Sequence, residues 1–196
     1  MLQSEKSQRT RQELLKSARF LFQERGFERT SVADIASGAG YSTGVFYRHF
    51  KTKPDILQEL WSEFLEDFIA ASIQGAMEAP TLEAAIDFLI RRSAAYFSHP
   101  MFVCYYGAGV HSLSGHWEFT PAGAKDFTAM LYQLLRREYP CGEEKRLRTY
   151  ASTLHSVINA YSASEVMNQD YYFDESTTRE ILLSLAAQAG EAKSKK

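Results

Sequence analysis

Residues 42–53 gather Ser42, Thr43, Tyr47, Arg48, His49 and Lys53 around Gly44, and apolar residues fill the gaps between them. Hydroxyl groups and the phenol of Tyr47 can donate to phosphate oxygens. Gly44 lets another backbone approach closely, and Arg48 can donate to a guanine edge or to phosphate. This is the chemistry of a surface that meets a polyanion. It also needs a scaffold, because the apolar residues recur at helical spacing: Val45 or Phe46, together with Phe50, can turn inward against Ile35 and the Leu14, Ala18, Leu21, Phe22 stripe.

Charge supports the same chemistry. The chain has 196 residues and a net charge of −2, from 22 Lys and Arg against 24 Asp and Glu. Residues 1–53 hold ten of the basic groups and five of the acidic ones, so this first quarter is +5 and the remainder is −7. A basic head on an acidic body points to a polyanion at the head. Hydrophobic content of 45% excludes a disordered chain. Two cysteines, Cys104 and Cys141, lie far apart and give neither a disulfide framework nor a zinc knuckle. The polar start MLQSEKSQRTRQ lacks the apolar stretch of a signal peptide, and no apolar run has the length of a membrane span. These features predict a cytoplasmic protein with no membrane partner.

The elements that must position the head read as helices. Thr10 and Glu13 have capping-box spacing, so a first helix is expected to start at Thr10 and to end at Gly26. Ser31 and Asp34 form a second box, opening a short helix that stops at Gly38-Ala39-Gly40. A third helix starts near Ser42. Thr52, Pro54 and Asp55 open a fourth, which can run to about Met77, roughly 37 Å at about 1.5 Å per residue, before Pro80. Thr81 caps a fifth that ends before Pro100. The stretch 100–119 is aromatic but interrupted by Gly107, Gly109 and Gly115. Thr120-Pro121 starts another helix, closed by Pro140. Leu147, Ala151, Leu154, Ile158 and Tyr161 mark a long one, and a last begins at Thr177 with Glu180 as its box partner. No period-2 strand, repeat or low-complexity linker occurs. The expected fold is all-α with about nine helices, and two short ones joined by a Gly turn form a helix-turn-helix.

The block TSVADIASGAGYSTGVFYRHFKTKPDIL resembles the signature of the tetracycline-repressor (TetR) family. That signature runs Thr-x-x-x-Ile-Ala-x-x-Ala-Gly, then Ser-x-Gly-x-Phe-Tyr-x-His-Phe, then Lys. The match covers about residues 10–57, departing mildly at Tyr41 and Pro54. The resemblance implies phosphate contacts from Thr30 or Ser31, Tyr47, His49 and Lys53, base reading around Thr43, Gly44 and Arg48, and core roles for Phe46 and Phe50. Ser42, at the start of the reading helix, joins the DNA set. It implies a DNA-binding domain over residues 1–53 and, over 54–196, a helical domain that binds a small effector and pairs with a twin. A palindromic DNA operator, a homodimer and, as is usual in the family, repression follow from it. The fourth helix would then link effector to reading head.

The body itself is less explicit. Small residues Ala151, Ala160, Ser162, Ala163, Ser164, Ala186, Ala187 and Gly190 place dimerisation on the last two long helices. Tyr96, Phe102, Tyr105, Tyr106, Trp117 and Phe119, with His111 among them and Trp61, Phe64 and Phe68 on the fourth helix, form a candidate lining for a flat, apolar effector. The competing reading of these aromatics is ordinary core. His111 and His116 are five apart, on different helix faces, and lack a carboxylate or cysteine at ligand spacing, so no metal or other cofactor is expected. Ser112 and Ser114 beside them lack a GxSxG elbow and a strand to carry it, which argues against a hydrolase. A helical effector-binding module without DNA function is the remaining alternative, and the intact head counts against it.

Overall fold

The computed structural model describes residues 3–109, 124–167 and 174–191. Over these, the chain forms nine helices: α1 (Gln3–Arg25), α2 (Val32–Gly38), α3 (Thr43–His49), α4 (Lys53–Glu78), α5 (Leu82–Phe97), α6 (Pro100–Gly107), α7 (Ala124–Glu138), α8 (Glu144–Met167) and α9 (Glu175–Gly190). No strand occurs among the described residues. None of these helices is long and apolar enough to cross a membrane.

Packing divides the chain into two compact units. The first joins the chain up to Leu65 with the segment from His99 that includes α6; the second joins Glu66–Ser98 with α7, α8 and α9. The first part of α4 thus belongs to one unit and the second part to the other.

In the first unit the two short helices are set by their ends. Ser31 caps α2: its hydroxyl accepts from Asp34 N at 3.1 Å, while the Asp34 carboxylate accepts from Ser31 N at 2.9 Å. Gly40, at φ +78°, takes the left-handed turn that ends α2, and Tyr41 N reaches back to Ala36 O at 2.8 Å. Gly38 allows close packing, since a Cβ there would lie 2.5 Å from Ser17 Oγ, which itself donates to Ile35 O. The core beneath is Leu14, Leu15, Ala18, Leu21, Phe22, Ile35, Phe46 and Phe50, all buried.

The start of α1 departs from expectation. The helix begins seven residues before Thr10, whose hydroxyl donates to Lys6 O, four residues back, inside the helix. The Thr-x-x-Glu spacing there is a mid-helix pattern, because a threonine hydroxyl can bond a carbonyl of the preceding turn as readily as cap a terminus. The start of α9 shifts similarly. Asp174 is its N-cap, accepting from Thr177 N at 2.8 Å, so Thr177 lies within the first turn. Residues 100–107 are helical, opened by His99, whose Nδ1 accepts from Met101 N at 3.2 Å. The expected helix start at Thr120-Pro121 lies outside the described residues.

The second unit is an aliphatic core with polar stitches at its rim. Leu82, Ile86, Leu89 and Ile90 of α5 meet Leu131, Leu134 and Leu135 of α7, Leu147, Ala151, Leu154 and Ile158 of α8, and Leu182 and Ala186 of α9. Close approach is made by glycine twice: the Phe88 ring lies against Gly75, and the Tyr139 ring against Gly190. Ala151, Ala186 and Gly190 are therefore spent on intrachain packing, which removes them from the candidate dimer face. Ala160 and Ala187 are exposed. The side chains of Ser162, Ala163 and Ser164 lie outside the described ones.

Candidate nucleic-acid interface

Helix α3 is only seven residues long, too short to persist alone in water. It is held by its apolar side. Phe46 is fully buried and Phe50 nearly so, with ring centroids 5.6 Å apart. Of the two inward candidates, Phe46 takes the core and Val45 is only partly covered. With Phe46 turned in, the opposite side must face out. Ser42, Thr43, Gly44 and Arg48 are exposed, and Tyr47 is 58% exposed, its ring edge-on to Phe46. His49 is partly covered.

Two features of this surface are unused by the chain itself. Ser42 stands at the N-cap of α3 but its side chain makes no capping bond. Gly44 has an ordinary helical backbone, and a Cβ there would meet nothing closer than Ser42 Oγ at 3.8 Å. Among the described residues, neither turn geometry nor packing demands glycine at 44.

Two other candidates are tied inward, and a third is partly covered. Thr30 is 1% exposed, and its hydroxyl donates to Gly26 O at 2.9 Å and Leu21 O at 3.3 Å. It closes the end of α1 instead of presenting a hydroxyl, so of Thr30 and Ser31 only Ser31 has an exposed side chain. Lys53 lays its ammonium 4.0 Å over the Phe27 ring and donates to Phe27 O at 2.8 Å and Thr30 O at 3.0 Å. In the free protein it cross-links the α1–α2 loop to the start of α4. His49 sits where partial burial, then Arg11 and Arg48, hold its ring below the ordinary histidine pKa, so it is neutral at pH 7.

The sequence reading missed Arg11. This residue donates to His49 O at 2.9 Å and to Glu59 at 3.0 Å, and lies 4.3 Å over the Phe50 ring. It fixes the end of α3 to both α1 and α4. The signal was available: Arg11 precedes Leu14, Leu15 and Ala18 at helical spacings, which puts a charge on the buried side of α1. Arg19 and Glu63, 2.6 Å apart, form a second α1–α4 tie. Tyr41 was noted only as a departure from the family pattern. Its hydroxyl bonds the Glu13 carboxylate and, with Arg9, holds that group below the usual carboxylate range, pinning the α2–α3 turn to α1.

Residues 14–60 match the family of bacterial regulatory proteins described as the tetR family. The head of this chain is a TetR-family domain. Over 71 residues the chain is 38% identical to the HTH-type transcriptional repressor KstR2 of Mycolicibacterium smegmatis, an alignment covering 36% of this chain and 34% of that protein. The likeness to the curated relatives thus spans about a third of their length, and those relatives are transcriptional regulators, not enzymes. Fold similarity extends further. A structure described as a TetR-family transcriptional regulator from Mesorhizobium loti superposes with a TM-score of 0.61 at 16% identity, covering 93% of this chain and 95% of that one. The structure of RolR in complex with resorcinol has a TM-score of 0.58 at 17% identity, over 96% and 92% of the two chains. The TetR-type, all-α fold therefore covers both units.

The candidate effector residues fall into separate groups. In the first unit Trp61 stacks on Tyr105 at 4.5 Å and meets Phe64, Phe102 and Tyr106 within about 6.0 Å. Tyr105 donates to Gln58 Oε1 at 2.7 Å. Trp61, Phe102 and Tyr105 are each less than 8% exposed. In the second unit Phe68 and Tyr96 pair at 5.0 Å. His111, Trp117 and Phe119 lie outside the described residues, as does His116.

Proposed function

We propose that this protein is a transcriptional repressor that binds a palindromic DNA operator as a homodimer and is released by a small apolar or aromatic effector. Residues 1–53 are the DNA-binding domain and 54–196 the effector and dimerisation domain. It works in the cytoplasm without a cofactor. The observation that carries the reading is the outward face of α3, where Ser42, Thr43, Tyr47 and Arg48 surround a glycine that nothing among the described residues requires. A helix whose backbone must come against a phosphate or a base edge requires that glycine.

In this reading Ser31, Ser42, Tyr47 and His49 contact phosphates, while Thr43, Gly44 and Arg48 read bases. Thr30 and Lys53 act mainly by shaping the turn beside them. A symmetric site needs a two-fold dimer, for which the exposed faces of α8 and α9 are available, with Ala160, Ala187 and Ile181 on them. The effector reading is supported by the shared fold with RolR, solved with resorcinol bound.

The test is selection of binding sites from a random DNA pool, followed by sedimentation of the complex. The expected result is a palindrome with half-sites about one helical turn apart or somewhat more, bound by an even number of chains. Recovery of no preferred sequence, or equal binding by a triple Ala variant at Thr43, Tyr47 and Arg48, overturns it.

A further inference from the structure

Arg92 of α5 stands apart from the other partly covered arginines. Arg11 has Glu59, and Arg179 has Asp87, at 2.7 Å and 3.2 Å, and Glu83. Arg146 has no acid among the described residues but lies at the C-terminal carbonyls of α9, Gln188 O and Ala189 O, where the helix end is negative. Arg92 has neither. Its guanidinium lies 4.0 Å over the Phe68 ring in the middle of α4, with Nε donating to Ser72 Oγ at 3.2 Å and Nη2 to Phe68 O at 3.3 Å. Ser72, 3% exposed, uses its own hydrogen on Phe68 O at 2.6 Å, so its oxygen is free to accept from Nε. No carboxylate pairs with Arg92 among the described residues.

A guanidinium has five N–H donors. Two are used here, both on the Nε–Nη2 side. That leaves the Nη1–Nη2 fork, the geometry that takes a carboxylate, sulfonate or phosphate through two parallel bonds. The stack on Phe68 and the bond to Ser72 fix the plane of that fork, and the Phe68–Tyr96 pair supplies aromatic surface beside it. Partial withdrawal from water costs a cation stability unless an anion compensates, and it strengthens any anion contact that is made. Burial already holds the Arg92 pKa below its ordinary value.

We propose that the effector is an anion: an apolar or aromatic body carrying one carboxylate, sulfonate or phosphate group, received by the open fork of Arg92 beside Phe68 and Tyr96. This deepens the effector reading given above and rests on it. Arg92 is then the residue that selects acids over neutral compounds of the same shape.

A matched pair of fluorescent probes tests it on the full chain: 1-anilinonaphthalene-8-sulfonate, which is anionic, and N-phenyl-1-naphthylamine, its uncharged relative. Wild type should bind the sulfonate at least about tenfold more tightly, as expected for one charge-assisted bidentate contact. Arg92→Gln should erase that preference and leave the neutral probe's affinity unchanged. Arg91→Gln, at the exposed neighbour, should keep the preference and so exclude a diffuse charge effect. Equal affinity of wild type for both probes overturns the proposal and needs no variant, so it holds even should Arg92→Gln fail to fold. A preference that persists in folded Arg92→Gln also overturns it. The two readings fail separately. If the neutral probe binds and weakens the DNA complex while the sulfonate gains nothing, the effector reading stands and the anion inference falls. Absence of binding by either probe overturns both.

Discussion

The two units of this chain are built on opposite rules. In the second, large aliphatic side chains from α5, α7, α8 and α9 fill one core, and ion pairs such as Arg179 with Asp87 close the rim. Many sequences of the same volume would serve there. In the first, helices of seven residues are held by caps, a left-handed glycine and a few polar ties, and nearly every residue has one specific task. A surface that reads DNA must also be the outside of its own core, so few substitutions satisfy both demands. Chemistry is therefore concentrated in the head and diluted in the body.

Breaking the apolar side of α3 should have the largest effect. Phe46 is fully buried, so Phe46→Ala should cost about 3–5 kcal/mol by lost transfer and a residual cavity. Helix α3 has no other anchor of comparable depth than Phe50, and DNA binding should vanish. Denaturant titration and gel shift check this. A comparable truncation in the body, Leu134→Ala, should cost about 2–5 kcal/mol without altering the sequence that the head prefers.

Substitution on the outward side should separate binding from stability. Tyr47→Phe removes an exposed hydroxyl that bonds nothing within the described chain, so stability should stay within about 0.5 kcal/mol of wild type. Operator affinity should nevertheless fall by about 1.5–3 kcal/mol if the phenol donates to a phosphate. Arg48→Ala should relax discrimination at one base position by about 1–3 kcal/mol. Gly44→Ala sharpens the contrast further. It should raise helix stability by up to about 0.5–1 kcal/mol, since a Cβ meets only an ordinary contact with Ser42 Oγ at 3.8 Å, while weakening the operator complex. A variant that gains stability and keeps full operator affinity would remove the argument that DNA sets the residue at 44.

Protonation offers a gentler perturbation of the head. The His49 ring is held below the ordinary value of 6.5 and is neutral in the free protein at pH 7. A phosphate beside it would favour the charged form and raise its pKa in the complex. Protons are then taken up on binding, so operator affinity should rise as pH falls through 6.5 and below. His49→Gln should flatten that dependence. For folding the sign is opposite: a depressed histidine pKa means that the unfolded chain binds the proton better, so stability is lost as pH falls below 6.5. His155, partly buried and 2.6 Å from Thr128 Oγ1, adds to the same loss in the body.

The same contrast explains what the sequence revealed. The helix-turn-helix was legible in detail, down to the Ser31–Asp34 box and the turn at Gly40, because short helices must announce their ends chemically. The core stripe of α8, from Leu147 to Tyr161, was legible from periodicity alone. Thr10 misled because one Thr-x-x-Glu spacing serves both a cap and a mid-helix back-bond. That Thr30 and Lys53 turn inward was not legible, because polarity does not say which way a side chain turns. Small residues misled in the body, where Ala151 and Gly190 serve the chain's own packing as well as they would serve a partner. Arg92 was passed over because an arginine in a helix reads as a solvated charge until its missing counter-ion is seen.

The smallest expected effect lies in the body, where one polar atom breaks the pattern of the core. Thr178, in the first turn of α9, is fully buried, and its hydroxyl has no hydrogen-bond partner among the described residues. Its backbone N–H is satisfied by Asp174 O at 3.0 Å, so the orphan is the side-chain oxygen alone. A buried hydroxyl left unpaired costs about 1–3 kcal/mol relative to an apolar group of the same shape. Thr178→Val keeps the branched volume and removes the orphan. Valine has a slightly poorer fit to the start of a helix, which offsets part of the gain. The net change should be a stabilisation of up to about 1 kcal/mol, read as a rise in Tm of about 2–4 °C for a chain of this size. Unchanged operator affinity should accompany it. A fall in Tm on Thr178→Val would mean that this hydroxyl is bonded in solution, and that the body depends on a polar contact as specific as those of the head.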